Sequence, residues 1–300
     1  MPSAPPMSTH AKGILIASSG VIILSLDALL VRLAGTDPWT VSFWRGLLIG
    51  LTMTLVVIVR RDYRWRPDSL KLCFVMLGIM VAYGFNTSLF VFSVSHTDAA
   101  NTVVILSSAP FFAALFSRWW LKEYLVLRTR IAIAVCLTGV AIVFGGSMGG
   151  VNWLGDSLAL LLALSTGGML TALRFAQGLP RTLMVAGAGY IAALFTVGPA
   201  TPFDLDLAQF SWLLIMGVLQ MPAASFLLMM APKYLPSPEV SLFLLIEAVL
   251  APVWVWWAIS ETPTNATFWG GSIILATIAV HATLTLREDR ASRRQQQPFI

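Results

Sequence analysis

Residues 39–59 read WTVSFWRGLLIGLTMTLVVIV, an apolar run in which Arg45 is the one charged residue. A helix needs about 20 mostly apolar residues to cross the hydrocarbon core of a bilayer, and this run has that length. Nine more runs share its character, and they cover residues 12–33, 70–94, 99–120, 128–146, 154–176, 181–199, 209–231, 238–259 and 266–286. None shows the period-two alternation of a barrel strand. We therefore predict an all-α membrane protein with ten transmembrane helices.

The overall composition excludes several other classes of protein. Of the 300 residues, 57% are hydrophobic and 11% are charged, whereas soluble domains average about 45–50% apolar and about 25% charged residues. The same figures exclude a disordered chain. The two cysteines, Cys73 and Cys136, lie inside apolar runs, so they do not form the framework of a disulfide-rich secreted domain.

The basic residues predict the orientation, because short cytoplasmic loops carry an excess of Lys and Arg. The termini and the loops after spans 2, 4, 6 and 8 hold 17 of the 19 basic residues. Arg32 and Arg45, near the outer ends of spans 1 and 2, are the exceptions. Both termini are thus predicted to be cytoplasmic. The net charge of +5 reflects this asymmetry and indicates no nucleic-acid partner.

The chain also shows a weak internal repeat. A shift of about 139 residues superposes Leu77-Gly78 on Met216-Gly217 and places Glu123 close to Glu261. Each half has five predicted spans, so the second half must cross the membrane in the opposite sense. Inverted repeats around a site near the midplane are a transporter architecture. We divide the chain into a cytoplasmic N-terminal tail (residues 1–11), a first five-helix repeat (12–146), a joint (147–153), a second, inverted repeat (154–286) and a cytoplasmic C-terminal tail (287–300).

Several short motifs resemble one family of membrane proteins over nearly the whole chain. They are Ser42-Phe43-Trp44-Arg45-Gly46, Pro110 and Lys122-Glu123 around span 4, Glu261-Thr262-Pro263 after span 9, Gly270-Gly271 in span 10, and the run from Glu247 to Trp257. This set is similar to the drug/metabolite transporter superfamily, in its ten-span EamA-type branch, and within it to the YddG-like bacterial amino-acid exporters. The resemblance implies a multi-pass protein of the bacterial inner membrane that exports amino acids, aromatic or apolar ones among them, or related metabolites.

Charged side chains inside spans are costly, so each one marks a candidate functional site. Asp27 and Arg45 both lie six residues from the outer ends of their spans, about 9 Å deep, and this matched depth predicts an ion pair. The pair either locks two helices or contacts substrate. Glu247 lies near the middle of span 9. It is a candidate for proton coupling, as is Asp27, or for binding an ammonium group; alternatively, it is protonated and bonded to a neighbouring helix.

Neutral polar groups complete the candidate site. Tyr83 and Asn86 share one face of span 3, and Gln220 interrupts the apolar run of span 8. Trp254 shares a face of span 9 with Glu247, where it either meets the apolar body of a ligand or belongs to an aromatic belt at the membrane surface. Kinks are predicted in spans 4, 8 and 9, at Pro110, Pro222 and Pro252.

These features together predict a secondary transporter, a monomer in the lipid bilayer, that moves amino acids by rocking its halves around a central cavity. The residues predicted to bind substrate are Arg45, Tyr83, Asn86, Gln220, Glu247 and Trp254. The sequence has no nucleotide-binding loop, metal-ligand cluster or nucleophile elbow, so we expect no cofactor, metal or enzymatic activity. The alternative substrate is a lipophilic organic cation or drug. A more distant alternative is an intramembrane enzyme or a structural membrane protein.

Overall fold

The computed structural model describes residues 9–66, 69–120, 122, 124, 127–147, 152–175, 178–230, 234 and 237–296, and these residues form helices and no strand. The helices are α1 (Thr9–Leu24), α2 (Asp27–Ala34), α3 (Pro38–Arg60), α4 (Leu70–His96), α5 (Ala99–Leu106), α6 (Ala109–Trp120), α7 (Leu127–Ser147), α8 (Trp153–Phe175), α9 (Arg181–Thr196), α10 (Leu207–Leu214), α11 (Met221–Met230), α12 (Ser237–Ile259) and α13 (Asn265–Gln296). A 3-10 helix covers Asp62–Arg64, and a π-helical segment, Ile215–Gln220, joins α10 to α11.

Eight helical stretches in the described part of the chain are long and apolar enough to cross a membrane. They are Lys12–Ala34, Pro38–Arg60, Leu70–His96, Ala99–Trp120, Leu127–Gly146, Trp153–Leu173, Leu207–Leu228 and Asn265–Leu284. This finding confirms the prediction of a multi-pass, all-helical protein. Predicted spans 7 and 9 fall on shorter apolar helices, Arg181–Thr196 and Ile246–Ile259. The count of ten spans and the inverted repeat therefore stay predictions.

The predicted tails and joint lie partly outside the described residues. Residues 1–8 and 148–151 are outside them, as are Glu123 and Lys233. Helix α13 continues to Gln296, past the end of its membrane-spanning stretch, so much of the predicted C-terminal tail is helical.

The first apolar run consists of two helices rather than one. The chain turns at Ser25 and Leu26, between the end of α1 and the start of α2. No proline or glycine occupies this turn, and the apolar pattern of the run did not predict it. Backbone carbonyl groups at such a break lose their α-helical partners inside the predicted membrane span.

The three prolines that we expected to kink helices behave differently from one another. The helix of span 4 is interrupted at residues 107–108, and Pro110 is the second residue of the helix that follows. The π-helical segment Ile215–Gln220 ends two residues before Pro222, as expected where a residue without an N–H disturbs the α-helical hydrogen-bond pattern. Helix α12 continues through Pro252 without interruption. The helical pattern thus changes near two of the three prolines.

Helix α3 packs closely against α9. A Cβ atom on Gly189 would lie 2.6 Å from the backbone nitrogen of Gly50 and 2.7 Å from the carbonyl oxygen of Gly46. Small residues allow two backbones to approach in this way. Elsewhere α7 packs on α13, α4 packs on α8 and α9, α6 packs on α8, and α1 packs on α11.

Replacing Gly189 with alanine is expected to lower the free energy of unfolding by about 1–3 kcal/mol, because the new methyl group meets backbone atoms that cannot turn aside. Gly78→Ala is the matched control, since a Cβ atom there meets no atom within 4 Å. We expect that control to gain about 0.5–1 kcal/mol from its higher helix propensity. Thermal or denaturant unfolding in detergent measures both variants, and equal effects would contradict the close contact.

Candidate functional site

The break between α1 and α2 brings polar side chains from two distant helices to the first apolar run. The Nε2 atom of Gln220 donates hydrogen bonds to the carbonyl oxygens of Ile23 and Leu24, at 3.1 and 3.4 Å. Trp254 Nε1 donates to Ser25 Oγ at 2.9 Å. An unpaired carbonyl is costly where no water can reach it, so the Gln220 amide stabilises the broken form. Two residues predicted to bind substrate therefore also hold the broken helix.

Helix α2 begins at Asp27, whose carboxylate forms a buried ion pair with Arg45 of α3. Arg45 Nη2 donates to Asp27 Oδ2 at 2.8 Å, and the two residues are only 2% and 5% exposed. The guanidinium carbon of Arg45 also lies 5.3 Å from the centre of the Phe90 ring in α4, which is a favourable cation–π distance. The ion pair that the matched depths predicted is present in the structure.

Two more of the predicted residues lie close to this pair. Tyr83 of α4 is within electrostatic reach of both Arg45 and Asp27, and Glu247 of α12 is within reach of Asp27. Glu247 is partly exposed and makes no hydrogen bond or ion pair with any residue that the structure describes. The fold thus gathers two carboxylates, a guanidinium and a phenol from α2, α3, α4 and α12.

Several buried polar atoms around the ion pair have no partner among the described residues. They include Nε and Nη1 of Arg45 and Oδ1 of Asp27. Asn86 donates from Nδ2 to Thr166 Oγ1 of α8 at 3.3 Å, but its Oδ1 is unpaired, as is Oε1 of Gln220. Buried polar groups are normally hydrogen-bonded, so this cluster of free donors and acceptors indicates a place where a polar ligand or water completes the bonds.

Two cavities lie apart from this group. One, of about 480 Å³, borders Trp44 and Phe210 at the predicted outer side, and the other, of about 320 Å³, lies between α7 and α13. Neither is lined by a residue of the predicted substrate site. The central cavity that we expected stays a prediction.

A second polar cluster, which was not predicted from the sequence, joins the ends of α4, α5, α8 and α13 on the predicted outer side. Asp156 of α8 is 0% exposed, and its Oδ1 accepts hydrogen bonds from Thr97 Oγ1 at 2.6 Å and Asn101 Nδ2 at 3.1 Å. Thr267 of α13 donates to Asn101 Oδ1. Asp156 lies in the first turn of α8, within predicted span 6. A charge can be buried there because neutral donors surround the carboxylate.

An ion pair lies beside this outer cluster. Arg32 Nη2 of α2 is 3.1 Å from Glu261 Oε2, and the same nitrogen donates to the Thr97 carbonyl oxygen. Glu261 Oε1 accepts a hydrogen bond from the backbone N–H of Ala99, the first residue of α5, at 2.7 Å. Negative charge is favoured at a helix N-terminus. Arg32, an exception to the predicted charge asymmetry, thus has a carboxylate partner.

Asp98, which precedes α5 outside the membrane-spanning helices, offers a test of this outer region. Burial raises the pKa of its carboxyl group, as do the charges of Glu261 and Asp156, while Arg32 lowers it. A raised folded-state pKa means that ionisation of Asp98 weakens the fold: the stability it contributes is present at low pH and is lost as the pH rises through its folded-state pKa.

We therefore expect Asp98→Asn to raise the melting temperature at neutral and alkaline pH, because the amide stays neutral. The gain should shrink as the pH falls towards the ordinary carboxyl pKa of 3.8. Melting curves across this pH range check the prediction. The exposed Asp204→Asn controls for the change in net charge, and a gain at Asp98 that is independent of pH would contradict the account.

The structure brings together four of the seven predicted site residues, namely Asp27, Arg45, Tyr83 and Glu247. The other three contact neighbouring helices through the hydrogen bonds described above. Sequence reasoning missed Ser25 and Thr166 as partners. Ser25 had one available signal, because a serine two residues before a charged residue in an apolar run can bond its own backbone and end a helix. Its Oγ does donate to the Ile22 carbonyl oxygen, at 2.7 Å.

Residues 11–145 match the sequence profile of a family described as the EamA-like transporter family. This match suggests a membrane transporter of small molecules. Among 15 chains of solved structures that match, one is described only as "Crystal structure of protein". It is 17% identical, aligns over 92% of this chain and 98% of its own, and has a TM-score of 0.61, so it shows a similar fold. No curated protein matches the sequence.

Proposed function

We propose that this protein is a secondary transporter that exports amino acids, aromatic or apolar ones among them, or related small metabolites across the bacterial inner membrane. The match to a transporter family supports the general class. The observation that carries the substrate class is the buried Arg45, which has two nitrogens without a described partner and lies in a group with two carboxylates. An amino acid has one carboxylate and one ammonium group, and this arrangement offers a partner of opposite charge to each.

Each polar residue has a distinct role in the proposed complex. The substrate carboxylate binds Arg45, while Asp27 holds the guanidinium in place through Nη2. The ammonium group binds Glu247, and the Tyr83 hydroxyl completes the hydrogen bonds. Trp254, which is turned inward by its bond to Ser25, packs against the apolar body of the substrate. Its neighbours Trp256 and Trp257 are 55% and 76% exposed, as expected for an aromatic belt at the membrane surface.

The pairing of helices supports alternating access between two similar halves. Numbered as spans, α3 with α9 pairs span 2 with span 7, and α7 with α13 pairs span 5 with span 10. The contact of α4 with α8 pairs spans 3 and 6, and its counterpart, the contact of α1 with α11, pairs spans 1 and 8. If each span is replaced by its counterpart in the other half, the pairs 2–7 and 5–10 stay the same, and the pairs 3–6 and 1–8 are interchanged. An inverted repeat requires this relation. The pairing of spans 5 and 10 with each other supports a peripheral place for both.

Transport by the purified full-length protein in liposomes tests the proposal. The liposomes are loaded with single amino acids or lipophilic cations, with and without a pH gradient. We expect saturable amino-acid flux that falls at least about tenfold in Arg45→Lys, because an ammonium group keeps the charge but loses the planar set of donors. Arg60→Lys, at the other end of α3, is the matched control. Absence of flux for every compound from folded protein would reject the proposal.

Glu247 is the residue whose protonation is proposed to couple transport to a proton gradient. If it carries the proton, the gradient accelerates flux by the unchanged protein and has no effect on Glu247→Gln. If the gradient accelerates flux equally in both proteins, a group other than Glu247 couples transport to the proton gradient. If the gradient changes the flux of neither protein, transport is facilitated diffusion, in which Glu247 acts only in binding.

A lipophilic organic cation is the second candidate substrate. It is favoured by Glu247, which has no cationic partner among the described residues and so can pair with a positive charge on a ligand. The two candidates differ in their need for Arg45, since a cation has no carboxylate. If the Arg45→Lys variant still exports cations but no longer exports amino acids, both ligand types use the carboxylate side of the site.

A further inference from the structure

A groove lies between α7 and α13, and none of the residues that line it belongs to the proposed substrate site. Its cavity has a volume of about 320 Å³ and apolar walls that include Ile131, Val135 and Val280. Ile131 and Val280 are 56% and 58% exposed, so the groove opens outwards, where the hydrocarbon of the bilayer lies. Arg128 and His281 also line the cavity.

The basic residues lie where the groove reaches the membrane surface. Arg128 is in the first turn of α7, and His281 lies three residues before the end of the apolar stretch Asn265–Leu284 of α13. This is the side that the distribution of Lys and Arg assigns to the cytoplasm. Lys122, Arg130 and Arg287 are exposed at the same side of the molecule.

The groove therefore combines an apolar slot in the membrane with positive charge at its mouth. Basic pockets between transmembrane helices on the cytoplasmic side suit the headgroups of anionic lipids. None of the described residues that line the cavity is acidic. A second copy of this chain in the same orientation fits less well, because it would bring two sets of basic residues together. A soluble anion would leave the apolar walls unused.

We propose that this groove binds one anionic phospholipid of the cytoplasmic leaflet. The phosphate lies against Arg128 and His281, and one acyl chain follows the groove between α7 and α13, past Ile131 and Val135. The bound lipid fills the gap between the two helices and joins them on the side that faces the bilayer. This binding is independent of the transported substrate.

Native mass spectrometry of the full-length protein, incubated with phosphatidylglycerol or phosphatidylcholine, tests the proposal. We expect at least about fivefold greater retention of phosphatidylglycerol, the difference that one basic residue near a membrane surface confers. Arg128→Gln is expected to remove most of this preference. Lys71→Gln, which removes a positive charge from the same side at the start of α4, is expected to keep it.

A second variant separates binding in the groove from general attraction to charge. Ala276 lines the cavity and is exposed, so Ala276→Phe fills the slot without entering the protein core. We expect it to lose the bound lipid while its melting temperature in phosphatidylcholine stays unchanged. The proposal is overturned by equal retention of the two lipids, by equal losses in Arg128→Gln and Lys71→Gln, or by a dimer that Ala276→Phe abolishes. The proposal would also be overturned if free glycerol phosphate competed for the groove as well as phosphatidylglycerol does.

Discussion

Arg45→Ala is expected to lower the free energy of unfolding by about 3–5 kcal/mol, because it leaves the Asp27 carboxylate buried without its partner. Both residues are almost fully buried, and their bond is 2.8 Å long. The same change is expected to abolish amino-acid transport, since the proposed partner of the substrate carboxylate is gone. Denaturant unfolding in detergent measures the first effect, and liposome flux measures the second.

A double variant separates stability from transport. In Asp27→Asn with Arg45→Gln no charge is left unpaired, so we expect at least half of the lost stability to return. Amino-acid transport should stay absent, because a neutral amide replaces the guanidinium. Amino-acid flux at the unchanged rate through the double variant would limit Arg45 to a structural role. Arg60→Ala is the matched control: that side chain is 39% exposed beside Asp62, so its loss should cost about 0–1 kcal/mol.

The second large effect is expected at the outer cluster, where Asp156→Ala should lower the free energy of unfolding by about 2–4 kcal/mol. The change removes the acceptor for both Thr97 and Asn101, and a buried donor left without a partner costs about 1–3 kcal/mol. Asp156→Asn should lose less, because its amide oxygen still accepts.

Asp204→Ala controls for the loss of an acidic residue at the outer side, since Asp204 is exposed and its removal should stay within about 0.5 kcal/mol. Unfolding curves measured side by side distinguish the two positions. A loss below about 1 kcal/mol at Asp156 would show that water or other groups replace its hydrogen bonds. The outer cluster would then contribute little to joining α5, α8 and α13.

Some features of the candidate site followed from the sequence because they depend on depth in the membrane. Depth is a property of position along a span, so two residues six positions from the same surface lie at the same level. This matched depth predicted the pair of Asp27 and Arg45, which the structure contains. It also drew attention to Glu247, although its position beside Asp27 depends on how α12 packs against α2.

Other features depend on which helices are neighbours, and depth alone gave no information about them. The sequence placed Asp156 near the start of span 6 but did not show which groups meet its carboxylate. In the structure its carboxylate accepts hydrogen bonds from Thr97 and Asn101, which lie more than 50 residues away along the chain. The break at Ser25 was missed for the same reason. It is stabilised by Gln220 and Trp254, which are about 200 positions away along the chain.

The sequence by itself determined the class of protein, the places of the apolar helices and the predicted orientation, because the cost of placing a polar group in lipid acts on each segment separately. Tertiary structure decided which side chains meet, which backbone groups are satisfied where helices break, and which buried polar atoms have no partner among the described residues. Those outcomes depend on helix packing, which close contacts such as Gly46 on Gly189 fix and which no single segment specifies.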